Sequence, residues 1–403
     1  DKDSQDYMDL AIRLQNLNFE GYQFERTPGY PLLIMLLGMN LKYVLFFQYV
    51  LSFFTSVLLY KISKSILENK ILAMVIPVFS SLLITNFFYE RALLTETLSL
   101  FLFISVVYFF CVKKDSISNF TLTGILCAVL MLTRTLFVYL APLVIFVFLI
   151  EKRKESLHYL GKRVLLLLTP TFFCFVLWCG MNKYHTGNFS MTNYFGINLA
   201  QTTVSFFDQY KGDKTKIKDI YVKYIQESDK DDSNLQKHAI WEAYEELKLE
   251  TGYELPELSN VLSAMSKDLI IHNFDKYLIQ IYVSLKDFWV HGFYWFHESD
   301  TMHTNKTYLS WLRTSRRVQN RLHMLFILSF VYYSFKTIFY KERKNRLITF
   351  LLLAIMTASI LQAMVVYGDN ARFSYPFYSM IILICVYFVK DIIQLINSKV
   401  LKS

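Results

Sequence analysis

Glycine is scarce, twelve residues in 403. None of the twelve has the spacing of a phosphate-cradling loop, which excludes a Gly-rich nucleotide-binding motif. The five cysteines, Cys111, Cys127, Cys174, Cys179 and Cys385, all fall inside apolar runs. With neither a paired pattern nor metal-ligand spacing they exclude a disulfide scaffold and read as core packing. There is no signal peptide, internal repeat or low-complexity tract. Because the chain opens on Asp1 and an acidic stretch, we expect a preceding piece carrying one further span. Charge is sparse as well, 19% of residues, and nearly missing from the centres of the apolar runs.

What is abundant is apolar. Hydrophobic residues make up 54% and aromatics 17% of the chain, with mean hydropathy +0.31. That is too apolar for an ordinary soluble surface, so the fold class is an all-α polytopic membrane protein. The net charge of +9 could suit nucleic acid. The lysines and arginines, however, cluster in short loops between apolar runs, as membrane orientation requires, so nucleic acid is discounted and membrane lipids are the expected partner.

Runs of spanning character occur at Leu41–Tyr60, Ile71–Phe88, Leu93–Val112, Phe120–Leu132, Leu136–Ile150, Val164–Met181, Leu322–Tyr340, Leu347–Tyr367 and Phe373–Ile396. Basic residues occupy every second connection: Lys61, Lys64 and Lys70; Lys113 and Lys114; Lys152, Arg153, Lys154, Lys162 and Arg163; Lys341, Arg343, Lys344 and Arg346; Lys399 and Lys402. This bias puts the N-terminus outside and, after nine spans, the C-terminus inside. The expected organisation is an N-terminal transmembrane part (1–181), an extracytoplasmic, mainly helical insertion (182–321) and a C-terminal transmembrane part (322–403). Within the insertion, Asn234–Leu249 carries Ala239, Ile240, Ala243, Tyr244 and Leu247 at helical spacing. Met265–Trp295 reads as a helix along the membrane surface, with Trp289, Tyr294 and Trp295 at the interface.

The same orientation gathers acids and arginines from five segments on one face. The first segment is an interfacial helix with Tyr7, Leu10, Ala11, Leu14 and Leu17 on one side and Asp3 and Asp6 at its start. It leads to Glu25-Arg26-Thr27-Pro28-Gly29-Tyr30-Pro31. The others bring Glu90, Arg91 and Glu96, then Arg134, then the insertion, and last Asp369-Asn370-Ala371-Arg372-Phe373-Ser374-Tyr375-Pro376. Charge at a bilayer edge is unfavourable unless it has a task. Glu96 lies inside its apolar run and is the stronger candidate than Glu90. Each residue also has a plain reading: Asp3 as a helix cap, Glu96 as a partner of a helix dipole, the arginines as snorkelling cations.

Asp3, Tyr7, Ala11, Arg26 and Pro28 together resemble the first extracytoplasmic loop of bacterial GT-C membrane glycosyltransferases, the group of aminoarabinose transferases and protein O-mannosyltransferases. The Glu96 and Arg372 segments are similar to later elements of that family. The resemblance implies a GT-C-like helical bundle in a bacterial plasma (inner) membrane, with its site facing the outside or periplasm. It would transfer sugar from a polyprenyl-phosphate donor to a lipid, glycan or protein acceptor. In that scheme Asp3 is the catalytic base, with Asp6 or Asp1 as substitutes, and Glu96 positions the acceptor. Asp6, Tyr7, Glu25, Arg26, Arg134, Arg372 and Tyr375 are expected to bind substrate. The chemistry needs a carboxylate for the acceptor proton and cations for the phosphate. Some family members bind a divalent metal with a loop acid and a distant histidine. Glu25 matches the acid by position, but His291, His297 and His303 carry no matching motif, so metal use stays open. Two alternatives also stay open: an O-antigen ligase or polymerase type using Arg313, Arg316, Arg317 and Arg321, and a lipid-linked sugar transporter or flippase.

Overall fold

The structure, a computed structural model, describes residues 2–231, 233–290, 306–339, 345–368 and 370–400. Among these residues there is no strand, and nearly everything is helix. After α1 (Lys2–Asn16) a loop leads to α2 (Gly29–Leu36) and α3 (Leu41–Ile66). Then come α4 (Lys70–Ser81), α5 (Ile84–Tyr89) and α6 (Glu96–Val107), which ends in a π turn at Tyr108–Val112. They are followed by α7 (Ile117–Thr133), a 3-10 turn at Thr135–Tyr139, α8 (Leu140–Glu151) and α9 (Leu157–Thr186). A second group contains α10 (Phe195–Thr202), α11 (Thr215–Asp231), α12 (Ala239–Thr251), α13 (Leu255–His272) and α14 (Phe274–Trp289). The chain closes with α15 (Lys306–Phe339), α16 (Arg346–Val365), α17 (Asn370–Ser374), a 3-10 turn at Tyr375–Phe377 and α18 (Tyr378–Val400).

The helix starts are written locally. Asn69, Ser116, Ser156 and Asn345 each accept a backbone N–H at the first turn of α4, α7, α9 and α16. Such caps satisfy donors that no preceding turn can reach. Four helical runs are long and apolar enough to cross a membrane: Leu41–Ile66, Leu157–Thr186, Arg346–Val365 and Asn370–Asn397. Four more apolar stretches are shorter: Lys70–Ser81, Glu96–Val112, Ile117–Thr133 and Thr135–Glu151. The chain is therefore a helical protein of membrane character.

The expected run Ile71–Phe88 is broken. The α4 helix stops at Ser81, where Asn86 Nδ2 donates to the Ser80 carbonyl at 2.7 Å and holds α5 at an offset. The expected borders after residues 181 and 321 fall inside α9 and α15, each a continuous helix. The expected surface helix at Met265–Trp295 is two helices, divided at Asn273; Tyr294, Trp295, Asp1 and Asp369 lie outside the described residues. Within α14 Gln280 and Ser284 are buried beside Tyr277 and Phe288, whereas Phe274, Leu278, Ile279 and Tyr282 are exposed. Water would penalise that arrangement and lipid would not. The first helix keeps Tyr7, Leu10 and Ala11 buried, but Leu17 lies beyond its end, with positive φ and full exposure.

Two main cores result. One gathers the apolar faces of α2 to α8 with α16 and α18, and the other joins α10 to α13 as a cap. One close helix approach in the first core is at Gly124 in α7, where an added Cβ would stand 2.6 Å from the Leu166 carbonyl oxygen of α9. Small residues at such crossings let backbones pack in a medium that offers no hydrophobic drive. Gly124→Ala is expected to push α7 off α9 at a cost of about 1–3 kcal/mol. Thermal unfolding of the detergent-solubilised protein measures this, and a wild-type midpoint would mean that the two helices can separate freely.

Candidate functional site

The loop between α1 and α2 is shaped before it is charged. Phe24 has a φ of +54°, a left-handed conformation that a non-glycine residue holds only when its surroundings impose it. They do so here: Phe24 is fully buried against Trp178, and its carbonyl accepts the Asn193 N–H at 2.9 Å. The Asn193 side chain also donates to the Gln23 carbonyl, and Gln23 in turn accepts the Leu255 N–H. The Tyr22 hydroxyl bridges the backbone of Arg26. The loop is thus tied to the cap, and its next two residues, Glu25 and Arg26, face a cavity of about 670 Å³.

Gly29 sets the other side. A Cβ there would lie 2.6 Å from the Thr133 backbone nitrogen, so the start of α2 touches the end of α7, and Arg26 and Arg134 come to line the same space. Asp3 and Tyr7 from α1 and Arg372 from α17 complete this bundle-side wall.

The charges form one alternating chain. Arg26 donates to Asp6 from Nε at 3.1 Å and from Nη2 at 3.0 Å, and Nη2 also donates to Asp3 Oδ1. Asp3 Oδ2 accepts from Arg372 Nη1 at 2.9 Å. Arg372 Nε donates to Glu96 Oε1, which also accepts from Arg134 Nη1 at 3.3 Å. Rings brace the guanidiniums: Arg26 lies over Tyr7 at 5.2 Å and Tyr194 at 5.3 Å, and Arg134 over Phe373 at 5.1 Å. Burial alone would raise the Asp3 carboxyl. The two arginines outweigh it and hold Asp3 below the usual aspartate range.

Of the residues singled out from sequence, Asp3, Tyr7, Glu25, Arg26, Arg134 and Arg372 line this cavity. Asp6 reaches it only through Arg26. Glu96 is fully buried behind Arg134 and Arg372 and does not line it, because those two guanidiniums lie between its carboxylate and the open space. Its carboxylate meets Arg134 and Arg372 rather than the cavity. Tyr375 is also away from the lining, packed in the core with its ring 4.4 Å from that of Tyr89. The arginines of the alternative, Arg313, Arg316, Arg317 and Arg321, are exposed along α15 and do not line the cavity. His291, His297 and His303 lie outside the described residues. Among the described residues no three His, Cys, Asp or Glu side chains are grouped to hold a metal ion.

Sequence reasoning missed the cap-side wall: Thr192, Tyr194, Asn198, Gln201, His238, Trp241 and Glu242. Trp241 meets the edge of Tyr194 at 5.1 Å. Burial, with Lys237 adding to it, lowers His238 to about 4, so its ring is neutral at pH 7. Burial pushes the Glu25 carboxyl up, and Asp6 and Asp9 add to the rise. Its Oε2 is buried without a hydrogen-bond partner among the described residues. The signal available in the sequence was a tryptophan beside the apolar stripe of this helix.

No family model matches the chain, and neither the curated proteins nor the solved structures contain a match.

Two outcomes test the ion chain. Removing the charge of Glu96 leaves two buried arginines short of a partner, so Glu96→Gln is expected to cost about 3–5 kcal/mol of stability. Adding Arg134→Gln should cost less than the sum of the two single changes, as read by unfolding midpoints. Asp3 titrates lower in the folded chain than in the unfolded one. Its contribution is present above the ordinary aspartate value of about 3.9 and is lost as pH falls through the lowered value. The wild-type midpoint should therefore drop below about pH 4, and this drop should shrink in Asp3→Asn. Coincident pH curves would remove Asp3 as an ionised partner.

Proposed function

We propose that the cavity binds a polyprenyl-phosphate sugar at the membrane edge and transfers the sugar to a hydroxyl of a lipid, glycan or protein acceptor. The observation that carries this reading is Asp3, an ionised carboxylate seated between Arg26 and Arg372 in a cavity of about 670 Å³. That volume lies within the ordinary range for small-molecule sites, about 300–1,000 Å³. The reading also rests on the resemblance of the first loop to GT-C enzymes, in which the active face is extracytoplasmic and the bundle is polytopic.

Each residue has a task set by its surroundings. Arg372, Arg134 and Arg26 take the phosphate, since guanidinium groups bind its oxygens through paired, charge-assisted bonds. Glu96 holds Arg134 and Arg372 in position from behind. When the phosphate arrives it competes for the guanidiniums now held by Asp3, and the carboxylate regains basicity. The acceptor oxygen then bonds to the anomeric carbon while the bond from that carbon to the phosphate oxygen breaks. The electron pair stays on the phosphate, where the guanidiniums offset its added charge, and the acceptor proton passes to Asp3. Among the described residues the donors around the cavity are not grouped as a metal-ligand set.

Transfer of radiolabelled sugar from decaprenyl-phosphate donors by the full chain in membranes tests the reading. Asp3→Asn is expected to lower turnover by roughly 10²-fold or more with expression retained, and Arg372→Ala to weaken donor use. Full transfer by Asp3→Asn would remove Asp3 as the base. Wild-type protein inert with every such donor would overturn the assignment.

A further inference from the structure

The cavity has two unlike walls. The bundle side carries Arg26, Arg134 and Arg372, while the cap-side lining has no lysine or arginine among the described residues, and burial with Lys237 lowers its His238 to about 4. The cap contributes aromatic rings, Tyr194 and Trp241, and the amides of Asn198 and Gln201. Trp241 is half-buried and held edge-on by Tyr194, whose ring lies under Arg26. The orphaned Oε2 of Glu25 belongs to the same lining, close enough to Tyr194 and Tyr244 for its charge to act on both. A buried acceptor without a donor costs free energy until a ligand supplies one. An aromatic face beside a carboxylate and amides is the recognition chemistry of a hydroxyl-bearing ring: apolar C–H faces against the indole, hydroxyl groups against the acceptors.

We infer that Trp241 and Glu25 form the sugar subsite of this cavity, and that it selects a neutral, hydroxylated pyranose over an acidic one. The inference rests on the phosphate reading above and adds the class of sugar. Charge decides the selection. Glu25 and Glu242 both line the cavity, and a uronate carboxylate beside them would meet like charge. The phosphate end of the same ligand meets the opposite situation, so a donor can enter in only one orientation.

The test is equilibrium binding to the full chain in nanodiscs, with decaprenyl phosphate alone and with the same lipid bearing glucose, mannose, N-acetylglucosamine or glucuronic acid. At least one neutral sugar should bind about tenfold more tightly than the bare phosphate lipid. Glucuronic acid should add nothing. Trp241→Leu and Glu25→Gln should abolish the gain while leaving affinity for decaprenyl phosphate within about twofold, and Trp241→Phe should keep part of it. Glu25→Gln guards against misfolding, because the oxygen it replaces makes no hydrogen bond among the described residues. If Arg372→Ala weakens binding of the bare lipid but no sugar improves on it, or the gain survives both substitutions, the subsite is wrong and the phosphate reading stands. Preference for glucuronic acid also overturns the subsite. If the bare lipid fails to bind wild type, both fall.

Discussion

A carboxylate with no exposure to solvent governs this end of the molecule. Glu96 opens α6, surrounded by the apolar bundle, and an ionised acid there is tolerated only if cations reach it. Arg134 comes from the end of α7 and Arg372 from α17, so one buried charge fixes the relative placement of three chain segments. The demand then propagates. Arg372 is more than one carboxylate oxygen can serve, and it takes Asp3; Asp3 takes Arg26; Arg26 takes Asp6. Each link is partly buried, and in such surroundings the loss of any one charge leaves its neighbours uncompensated. The N-terminal helix is held to the bundle by this chain as much as by the burial of Tyr7, Leu10 and Ala11.

A second charged cluster sits at the other end of α16. Arg346, its first residue, donates to Asp115 at 2.7 and 3.0 Å and to Glu151, and Lys152 lies 3.1 Å from Asp115. At the far end of the same helix Val366 and Gly368 line the cavity. Twenty residues separate the two ends, or about 30 Å at 1.5 Å per residue. That equals the thickness of a bilayer's hydrocarbon core. No residue of α16 after Arg346 is ionisable. Helix length and the placement of charge thus answer to one constraint, a slab in which ions are costly.

What the sequence revealed follows from that cost. Arg26, Arg134 and Arg372 stood out because each borders an apolar run, Asp3 because it opens an interfacial helix ahead of Arg26, and the fold brings all four to one cavity. The cap-side residues carried no such mark. His238, Trp241 and Glu242 lie on or beside a helix whose stripe of Ala239, Ile240, Ala243 and Leu247 predicts a buried face but not what the rest of the helix meets. Tyr375 was misleading for a related reason. Its neighbour Arg372 reaches the cavity, but a 3-10 turn rotates Tyr375 into the core. The break at Leu82 was invisible because hydropathy records composition, whereas a helix end depends on where single polar groups find partners, as Asn86 does with Ser80; the break at Asn273 falls where His272, Asn273, Asp275 and Lys276 interrupt the apolar run.

The ion chain is balanced, with Asp3, Asp6 and Glu96 facing Arg26, Arg134 and Arg372. An anion entering it does not find a free positive pocket and must displace a carboxylate. The one it displaces most readily is Asp3, since Glu96 is sealed behind its two arginines while Asp3 borders the open space. In the proposed transfer, binding and activation would be the same event: the charge that holds the ligand is the charge that had kept the acid unreactive. A tighter arginine cluster without Asp3 would bind anions better and would have nothing with which to take a proton, so under the proposed function the apparent waste of cations on internal partners would link the two steps.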